Sequence, residues 1–393
     1  MNKDILDSAV QTYIHDNLNA DVHQIAMAKS PFAKVSGQEL AAQIAARKKT
    51  TRKLPTWFHT AGIYYPPLLS VEQCSSELTA AFKATLVRGE SLIDLTGGYG
   101  VDSYYFAKQN TEVIHCEINA ELSEIAAYNA PLLGQHNTTF LGTDGIAYLQ
   151  DTNRHFDTVY IDPARRSNSG KVFMLKDCTP NVIEHLDLLL KKSNRILIKT
   201  APLLDISAGL KELKGVVAVH IISVKNECKE LIWIVEKESN ATVKIVCTTL
   251  NQEEKHFSYY LGEESPVNIQ SEFSEGDFLY EPDVALLKGG AFNLIAERYQ
   301  LKKIHAQTQL YTSPLVHKEF PGRIFKIEEL LSGAKIKKAK DLKGSVIVRN
   351  YPAQAAALVS KYQIKPDDNQ YIIFTQSADA GKLILKCSII QHY

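Results

Sequence analysis

Asp94-Leu95-Thr96-Gly97-Gly98-Tyr99-Gly100-Val101-Asp102 is the stretch that decides the fold, because it joins an apolar strand to a helix through a glycine-rich turn. Such a turn lets the backbone come close to a ligand. The glycines do not follow the G-x-G-x-x-G spacing of dinucleotide-binding turns. We therefore predict a ligand other than a dinucleotide, held by Thr96, Gly97, Gly98 and Gly100, with Asp94 placed to meet an amino group. The alternative is a turn that only packs the strand against the helix.

Apolar strands alternate with amphipathic helices on both sides of this turn, a pattern typical of a parallel sheet with crossover helices. Only residues 225–230 join the last two predicted strands, which is too short for a crossover helix, so we expect that pair to be antiparallel. The prediction is a seven-stranded, doubly wound Rossmann-like sheet with strands at Ser91–Leu95, Glu112–Glu117, Thr138–Leu141, Thr158–Asp162, Arg195–Lys199, Val216–Val224 and Leu231–Glu236.

Acidic residues also follow the second and third predicted strands. Glu117 ends the second strand, where a carboxylate can accept hydrogen bonds from both ribose hydroxyls of an adenosine. A solvated glutamate is also common at such a position. Asp144 and Gly145 follow the third strand, where an adenine amino group would lie, but an ordinary Asx turn would give the same pattern. We predict that all three residues contact the ligand.

The fourth predicted strand ends in Asp162-Pro163-Ala164-Arg165-Arg166. Ligands of open α/β sheets bind at the carboxyl ends of the strands, so Asp162 should face the same crevice as the glycine turn. We predict that Asp162 borders the ligand and that Asp162, Pro163 and Arg165 are catalytic. Arg165 and Arg166 are predicted to hold substrate phosphates. A proline turn with two surface arginines is the alternative.

The region before the sheet, residues 1–75, is predicted to be a helical domain. Its residues 47–53 include five basic side chains in seven and precede Trp57 and Phe58. Cationic and aromatic groups together are typical of single-strand nucleic-acid binders. Lys53 and Trp57 are therefore predicted to bind substrate, whereas a solvated helix end with core aromatics is the alternative. Asn226, in the last hairpin, is a third substrate candidate, although a plain polar turn fits it equally well.

After a core domain at 76–238, two regions follow with an α+β character. Residues 239–319 begin with exposed strands at Val243–Leu250 and His256–Tyr260 and serve as a linker to a small folded segment. Residues 320–393 alternate strands and helices, with a helical turn predicted at Glu328–Leu331. A length of 393 residues is too long for one ordinary core and by itself suggests two or three domains.

Composition excludes several classes of protein. The chain is 45% hydrophobic and 22% charged, with a formal net charge of zero, so any polyanion must be bound by local patches. No apolar run approaches the roughly 20 residues that span a bilayer, and we expect a cytoplasmic protein without a membrane partner. The six cysteines form no Cys-x-x-Cys pair, and no metal site is predicted.

Together these motifs resemble the class I S-adenosylmethionine-dependent methyltransferases, and more narrowly the bacterial methyltransferase-like proteins with a C-terminal THUMP-like domain. The resemblance implies that S-adenosylmethionine is the cofactor, and that Thr96, Gly97, Gly98, Gly100, Glu117, Asp144 and Asp162 line its site. It also implies a ferredoxin-like piece near Glu281–Thr312 and a THUMP-like domain from about Phe320. RNA is then the expected substrate. The resembling stretches are residues 53–57, 65–67, 72–77, 94–102, 162–166, 198–205 and 226–230.

One departure from that pattern concerns the acceptor. Amine methyltransferases that act on bases usually carry a second proline and then an aromatic residue, where this chain has Ala164 and Arg165. The leading hypothesis is an S-adenosylmethionine-dependent methyltransferase acting on RNA. The alternative is a non-catalytic RNA-binding protein that retains the methyltransferase fold. A nicotinamide-dependent oxidoreductase agrees less well with the glycine spacing. The number of subunits is left open.

Overall fold

The computed structural model describes residues 1–165, 174–237, 241–266, 269, 273–338, 341–379 and 381–393. The chain divides into two compact units: Met1–Val217 with Ile232–Ala241, and Ala218–Leu231 with Thr242–Tyr393. The domain boundaries predicted after residues 75, 238 and 319 stay predictions.

The first unit begins with short helices and one long helix. The long helix starts in a capping box, in which Ser36 accepts from the backbone N–H of Glu39 and the Glu39 carboxylate accepts from the backbone N–H of Ser36. It ends just before Pro55, which cannot continue a helix. The helices are α1 (Ser8–Asp16), α2 (Val22–Met27), α3 (Gly37–Lys53), α4 (Pro55–His59) and α5 (Leu68–Gln73), preceded by a 3-10 turn at Lys3–Leu6.

The alternating pattern then gives strands and helices in turn. In chain order these are α6 (Glu77–Thr85), β1 (Ser91–Asp94), α7 (Val101–Ala107), β2 (Glu112–Cys116), α8 (Ala120–Leu132), β3 (Thr138–Leu141), α9 (Gly145–Asp151), β4 (Phe156–Ile161), β5 (Ala164–Arg165), a 3-10 turn (Leu175–Asp177), β6 (Cys178–Thr179), α10 (Val182–Lys192), β7 (Ser193–Thr200), α11 (Ile206–Glu212), β8 (Val216–Val224) and β9 (Glu227–Glu236).

The remaining elements are β10 (Lys244–Leu250), β11 (Glu254–Tyr260), β12 (Phe278–Pro282), α12 (Val284–Gly289), α13 (Phe292–Arg298), β13 (Lys302–His305), β14 (Thr308–Ser313), β15 (Gly322–Leu330), α14 (Gly333–Lys338), β16 (Ser345–Val348), α15 (Ala355–Tyr362), β17 (Gln370–Ser377) and β18 (Gly381–Gln391). The helical turn predicted at Glu328–Leu331 is wrong, because Glu329 and Leu330 continue β15 and pair with β18.

The large sheet has nine strands, in the order β11-β10-β8-β9-β7-β4-β1-β2-β3, rather than the predicted seven. The two extra strands are those predicted to be separate: β10 pairs with β8 in parallel, and β11 pairs with β10 antiparallel. Lys225 and Asn226, both with positive φ, form the two-residue turn between β8 and β9. So short a turn makes that pair an antiparallel hairpin, as predicted.

Three parallel pairings, β1 with β2, β1 with β4 and β2 with β3, align the carboxyl ends of four strands. Asp94 lies opposite both His115 and Tyr160, and Cys116 lies opposite Leu141. The loops that follow these strands therefore start at one edge of the sheet.

The second unit contains a seven-stranded sheet in the order β13-β14-β12-β15-β18-β17-β16. β16 and β17 pair in parallel, whereas the other described pairings between its named strands are antiparallel. Apolar residues of β12, β15, β17 and β18 form one cluster of its core, which includes Leu279, Phe325, Ile373 and Leu385. In the described ranges of the chain, no helix is both long and apolar enough to span a bilayer.

Candidate functional site

Hydrogen bonds join the loops at this sheet edge directly. The backbone N–H of Gly98 donates to Oε2 of Glu117 at 2.8 Å, which links the loop after β1 to the end of β2. The backbone N–H of Asp162 donates to Oγ1 of Thr96 at 2.7 Å, which links the loop after β4 to the same turn. Thr96, Gly98, Glu117 and Asp162 therefore form one continuous edge.

The glycine turn requires glycine for two different reasons. Gly98 and Gly100 have φ of +56° and +83°, in the left-handed region that favours glycine. Gly97 has no such angle, but a Cβ there would lie 2.1 Å from Cε1 of His115. The turn thus packs closely against the His115 ring at Gly97, whereas a Cβ at Gly98 would meet nothing nearer than 3.9 Å.

A buried polar group supports this turn from beneath. Oδ2 of Asp94 accepts from the Ser103 hydroxyl at 2.7 Å. Oγ of Ser103 also lies 3.1 Å from Nδ1 of His115. Asp94 and His115 are both fully buried. Burial raises the pKa of Asp94 to about 7 and lowers the pKa of His115 to about 3.

The predicted contact of Asp94 with a ligand amino group is corrected by this burial. Its Oδ1 accepts from the backbone N–H of Thr96 at 3.1 Å, and its other oxygen is taken by Ser103. The Asp94 carboxylate therefore shapes the turn from inside and has no surface on which to meet a ligand. A carboxylate at a strand end looks the same in sequence whether it points inward or outward.

Glu117 stands at the tip of β2 with its carboxylate half-buried. Besides the Gly98 N–H, it accepts from the backbone N–H of Asn119 through Oε1 at 2.8 Å. Each oxygen retains a lone pair for a further donor. The side chain of the next residue, Ile118, is 73% exposed. Sequence reasoning missed Ile118, although its position directly after Glu117 was a usable signal.

Asp144 is exposed and caps helix α9, since its Oδ1 accepts from the backbone N–H groups of Ile146 and Ala147 at 2.8 and 3.1 Å. This is the Asx geometry of the alternative interpretation, and a ligand role for Asp144 stays a prediction. Gly145 is tightly constrained, because a Cβ there would lie 2.5 Å from the backbone oxygen of Leu95. The close approach holds the start of α9 against the end of β1.

Asp162 forms an ion pair with Lys199 at the end of β7, the strand next to β4. Both side chains are partly exposed, at 32% and 15%. Lys199 was not among the predicted site residues. Its position at the tip of a strand parallel to β4 could have identified it, since tips of neighbouring parallel strands converge.

The residues after Asp162 only partly fall within the described chain. Pro163 is buried, and Ala164 is exposed in the two-stranded ladder of β5 with β6. The backbone of Arg165 pairs with Cys178 in that ladder. Arg166 lies outside the described residues. The predicted roles of Pro163, Arg165 and Arg166 stay predictions.

The predicted substrate residues lie in different environments. Trp57 is 1% exposed and packs against the Tyr104 ring at 4.9 Å between centroids, so the prediction that it contacts substrate is wrong. Its neighbour Phe58 is half-buried and lines an open cavity with Lys53. Asn226 belongs to the second unit, where its side chain accepts from the backbone N–H of Val284 at 2.9 Å as part of the hairpin turn.

Three similarities to known proteins agree with this architecture. A family model for a ferredoxin-like domain matches residues 278–321, which confirms the ferredoxin-like piece predicted near Glu281–Thr312. The chain is similar over 99% of its length to 99% of a proposed methyltransferase from Porphyromonas gingivalis W83, with 29% identity and a TM-score of 0.87. Over 77 residues it is 36% identical to an uncharacterised RNA methyltransferase of Mycoplasma mobile.

The extent of these matches differs. The Mycoplasma mobile match covers 20% of this chain, and the chain spans about a fifth (21%) of the length of that curated relative. The Porphyromonas gingivalis match covers both chains almost completely. The protein is thus similar to methyltransferases in sequence and in fold, and it has a ferredoxin-like domain in its C-terminal half.

Proposed function

We propose that this chain is a class I S-adenosylmethionine-dependent methyltransferase that acts on RNA. The observation that carries the proposal is the hydrogen-bonded edge in which Gly98 bonds to Glu117 and Asp162 bonds to Thr96. A glycine turn, a ribose acceptor and a substrate-facing carboxylate then lie side by side at the carboxyl ends of parallel strands.

The donor groups at this edge suit an adenosyl cofactor. The Glu117 carboxylate can accept from the two ribose hydroxyls, and the exposed Ile118 side chain offers an apolar surface for a purine ring. A Cβ at Gly98 would meet nothing nearer than 3.9 Å, so the backbone of the turn is open to the amino-acid end of the ligand. When bound, the cofactor supplies an electrophilic methyl group on a sulfonium.

Asp162 and Lys199 are the groups proposed to place the methyl acceptor. Lys199 donates to Oδ2 of Asp162, and this contact fixes the orientation of the carboxylate. We assign Oδ1 of Asp162 as the acceptor for an N–H or O–H of the substrate. Holding the nucleophile in line in this way supplies a large part of the rate of a bimolecular transfer.

RNA as the substrate is supported by two observations of different kinds. The Mycoplasma mobile relative is named as an RNA methyltransferase. The sequence also resembles proteins with a THUMP-like domain, which are associated with RNA modification. Because the exposed Ala164 stands where base amine methyltransferases usually carry the second proline, before their stacking aromatic, an aromatic ring for the target base must come from elsewhere.

A transfer assay tests the proposal. The purified protein is incubated with tritiated S-adenosylmethionine and bacterial total RNA, protein or small metabolites. We expect label in RNA, and a loss of about 100-fold for Asp162→Asn because the acceptor is no longer held in line. Asp187→Asn, an exposed carboxylate of α10, is the matched control and should transfer at the wild-type rate.

The outcomes separate the two hypotheses that the sequence left open. Label found only in protein or metabolites would contradict the RNA assignment. RNA binding without any transfer would support the alternative, a non-catalytic RNA-binding protein, which the missing aromatic after Pro163 favours.

A further inference from the structure

The N-terminal helices of the first unit enclose a half-open cavity of about 630 Å³. This volume is typical of pockets that hold a small ligand or one nucleotide. Its wall is formed mainly by the last two turns of α3, through Lys48, Lys49, Thr51, Arg52 and Lys53. Leu18 and Asn19, which follow α1, and Phe58 of α4 complete it.

The positive charge on this wall is poorly balanced by the protein itself. Lys49 pairs with Glu72 at 2.9 Å, and Lys53 donates to the backbone oxygen of the same residue at 2.6 Å. Lys48 and Arg52 are exposed, and within the described ranges neither has an ion-pair partner. Among the described residues, only Lys49 of these four cations has an ion pair, and the cavity is suited to an anion with several charges.

The stability of helix α3 alone does not explain why four cationic side chains lie close together near its end. Lys48 and Arg52 are four residues apart on α3, as are Lys49 and Lys53, and like charges at that spacing destabilise a helix. The helix dipole favours cations in the last turn, which covers Arg52 and Lys53 but not the two lysines one turn earlier. A polyanionic ligand would offset the repulsion along both pairs.

Phe58 adds a stacking surface to the same wall. Its ring is half-buried, and the guanidinium of Arg47 lies 5.6 Å from its centroid, which helps to fix the ring. An aromatic ring beside backbone-tracking cations is the combination by which proteins bind single strands without reading their sequence. Trp57, by contrast, is part of the core.

Lys53 is the one cation of this wall whose side chain is half-buried. Burial, together with the nearby ammonium groups of Lys199 and Lys49, lowers the pKa of Lys53. The charge of Lys199 therefore acts on Lys53, and Lys199 is the partner of Asp162.

We propose that this cavity binds single-stranded RNA, with Lys48 and Arg52 on consecutive phosphates and Phe58 stacked on a base. The choice of RNA rests on the proposed function, whereas the affinity for a phosphodiester strand and a base rests on the cavity itself.

Fluorescence anisotropy of a labelled 12-nucleotide oligouridylate tests the proposal with the full chain. We expect Phe58→Ala to weaken binding by roughly 5- to 150-fold and Phe58→Tyr to bind as the wild type does. Lys48→Gln with Arg52→Gln should lower the slope of log affinity against log salt by about 1.4, since each lost phosphate contact contributes about 0.7. Lys211→Gln with Lys214→Gln, two exposed lysines of the same unit, is the control and should leave the slope unchanged.

Calorimetry with S-adenosylhomocysteine on every variant distinguishes the two proposals. Normal cofactor binding together with weakened RNA binding in the cavity variants supports the cavity as the RNA site. RNA binding by the wild type that none of these variants alters overturns it, as does an affinity for duplex RNA equal to that for the single strand. Absence of cofactor binding in the wild type would instead contradict the proposed function.

Discussion

At the scale of single residues, the glycine turn at the edge of the sheet depends on close packing against a buried, neutral histidine ring. Gly97 lies on His115 so closely that a methyl group has no room. His115 is held neutral by its burial, with Asp94 and Ser103 beside it. The glycine turn could be identified from the sequence pattern. The contact with His115 could not, because His115 is one residue of an apolar strand and nothing in the pattern distinguishes it.

Gly97→Ala tests this contact. The added Cβ would lie 2.1 Å from the His115 ring, so we expect a loss of about 1–3 kcal/mol in the free energy of unfolding, as for other overpacked cores. Urea unfolding measures it. Gly142→Ala is the control, because its Cβ would be at an ordinary 3.4 Å from Ala120. If Gly97→Ala lowers the free energy of unfolding as much in a His115→Ala background as in the wild type, the contact with the His115 ring is not the cause.

His115 should also give the protein a specific sensitivity to acid. Its pKa is lowered to about 3, so between its ordinary value of 6.5 and that value the unfolded chain binds a proton that the folded chain does not. Its contribution to stability is full above about pH 6.5 and is lost as the pH falls. Asp94 acts in the opposite direction, because its raised pKa adds stability on acidification.

When the pH is lowered from about 7 to about 4.5, we expect the free energy of unfolding of His115→Gln to fall by less than that of the wild type. The variant lacks the His115 contribution, whereas Asp94 is present in both proteins. Chemical unfolding at the two pH values measures the difference. An equal loss in both proteins would show that His115 is not buried and neutral in the folded state.

At the scale of secondary-structure elements, an ion pair beneath the site joins α6 to α7. Lys83 is fully buried, and its Nζ lies 3.1 Å from Oδ1 of Asp102. The other carboxylate oxygen accepts from Ser75 and Tyr160 at 2.8 and 2.9 Å. Burial opposes ionisation of Asp102, but the ammonium groups of Lys83 and Lys199 hold its pKa below the ordinary value.

Lys83→Met should therefore be strongly destabilising. It leaves the Asp102 charge buried without its partner, a change that costs about 3–5 kcal/mol in other proteins. Adding Asp102→Leu should restore much of the lost stability because both charges are then gone. Lys211→Met, at an exposed position, is the control. A double variant no more stable than Lys83→Met would contradict the assignment of the cost to the unpaired charge.

Most elements of the core could be predicted from sequence because alternation of apolar strands and amphipathic helices is a local signal. The number of strands in the sheet could not, since the pairing of β10 with β8 is a long-range choice that the pattern of Lys244–Leu250 does not encode. The same limit explains Lys199, whose role arises only from the neighbouring position of β4. The burial of Trp57 likewise depends on the packing of α4 against Tyr104.

At the scale of the whole molecule, the second unit is stabilised around one buried carboxylate. Glu281 is 2% exposed, pairs with Arg323 and with Arg349, and accepts from the hydroxyl of Tyr393 at 3.1 Å. These residues come from β12, from β15, from the segment after β16 and from the end of the chain. Glu281 therefore ties the domain matched at 278–321 to the strands that follow it.

Glu281→Gln should loosen the second unit in particular. The variant removes the charge that two arginines share, so we expect faster amide hydrogen exchange in β12 and β15. Hydrogen–deuterium exchange with mass spectrometry compares these strands with β1 and β2 of the first unit. Equal acceleration in all four strands would contradict a role confined to the second unit.

The proposed function requires that Glu117 and the glycine turn form a binding site for an adenosyl cofactor. Titration calorimetry with S-adenosylhomocysteine measures this binding. It compares the wild type with Glu117→Ala and with a control, Glu184→Ala, at an exposed position. We predict binding to the wild type and the control, and a loss of about 1.5–3 kcal/mol for each ribose hydrogen bond to the Glu117 carboxylate that is removed. No binding to the wild type, or unchanged affinity in Glu117→Ala, would contradict the claim.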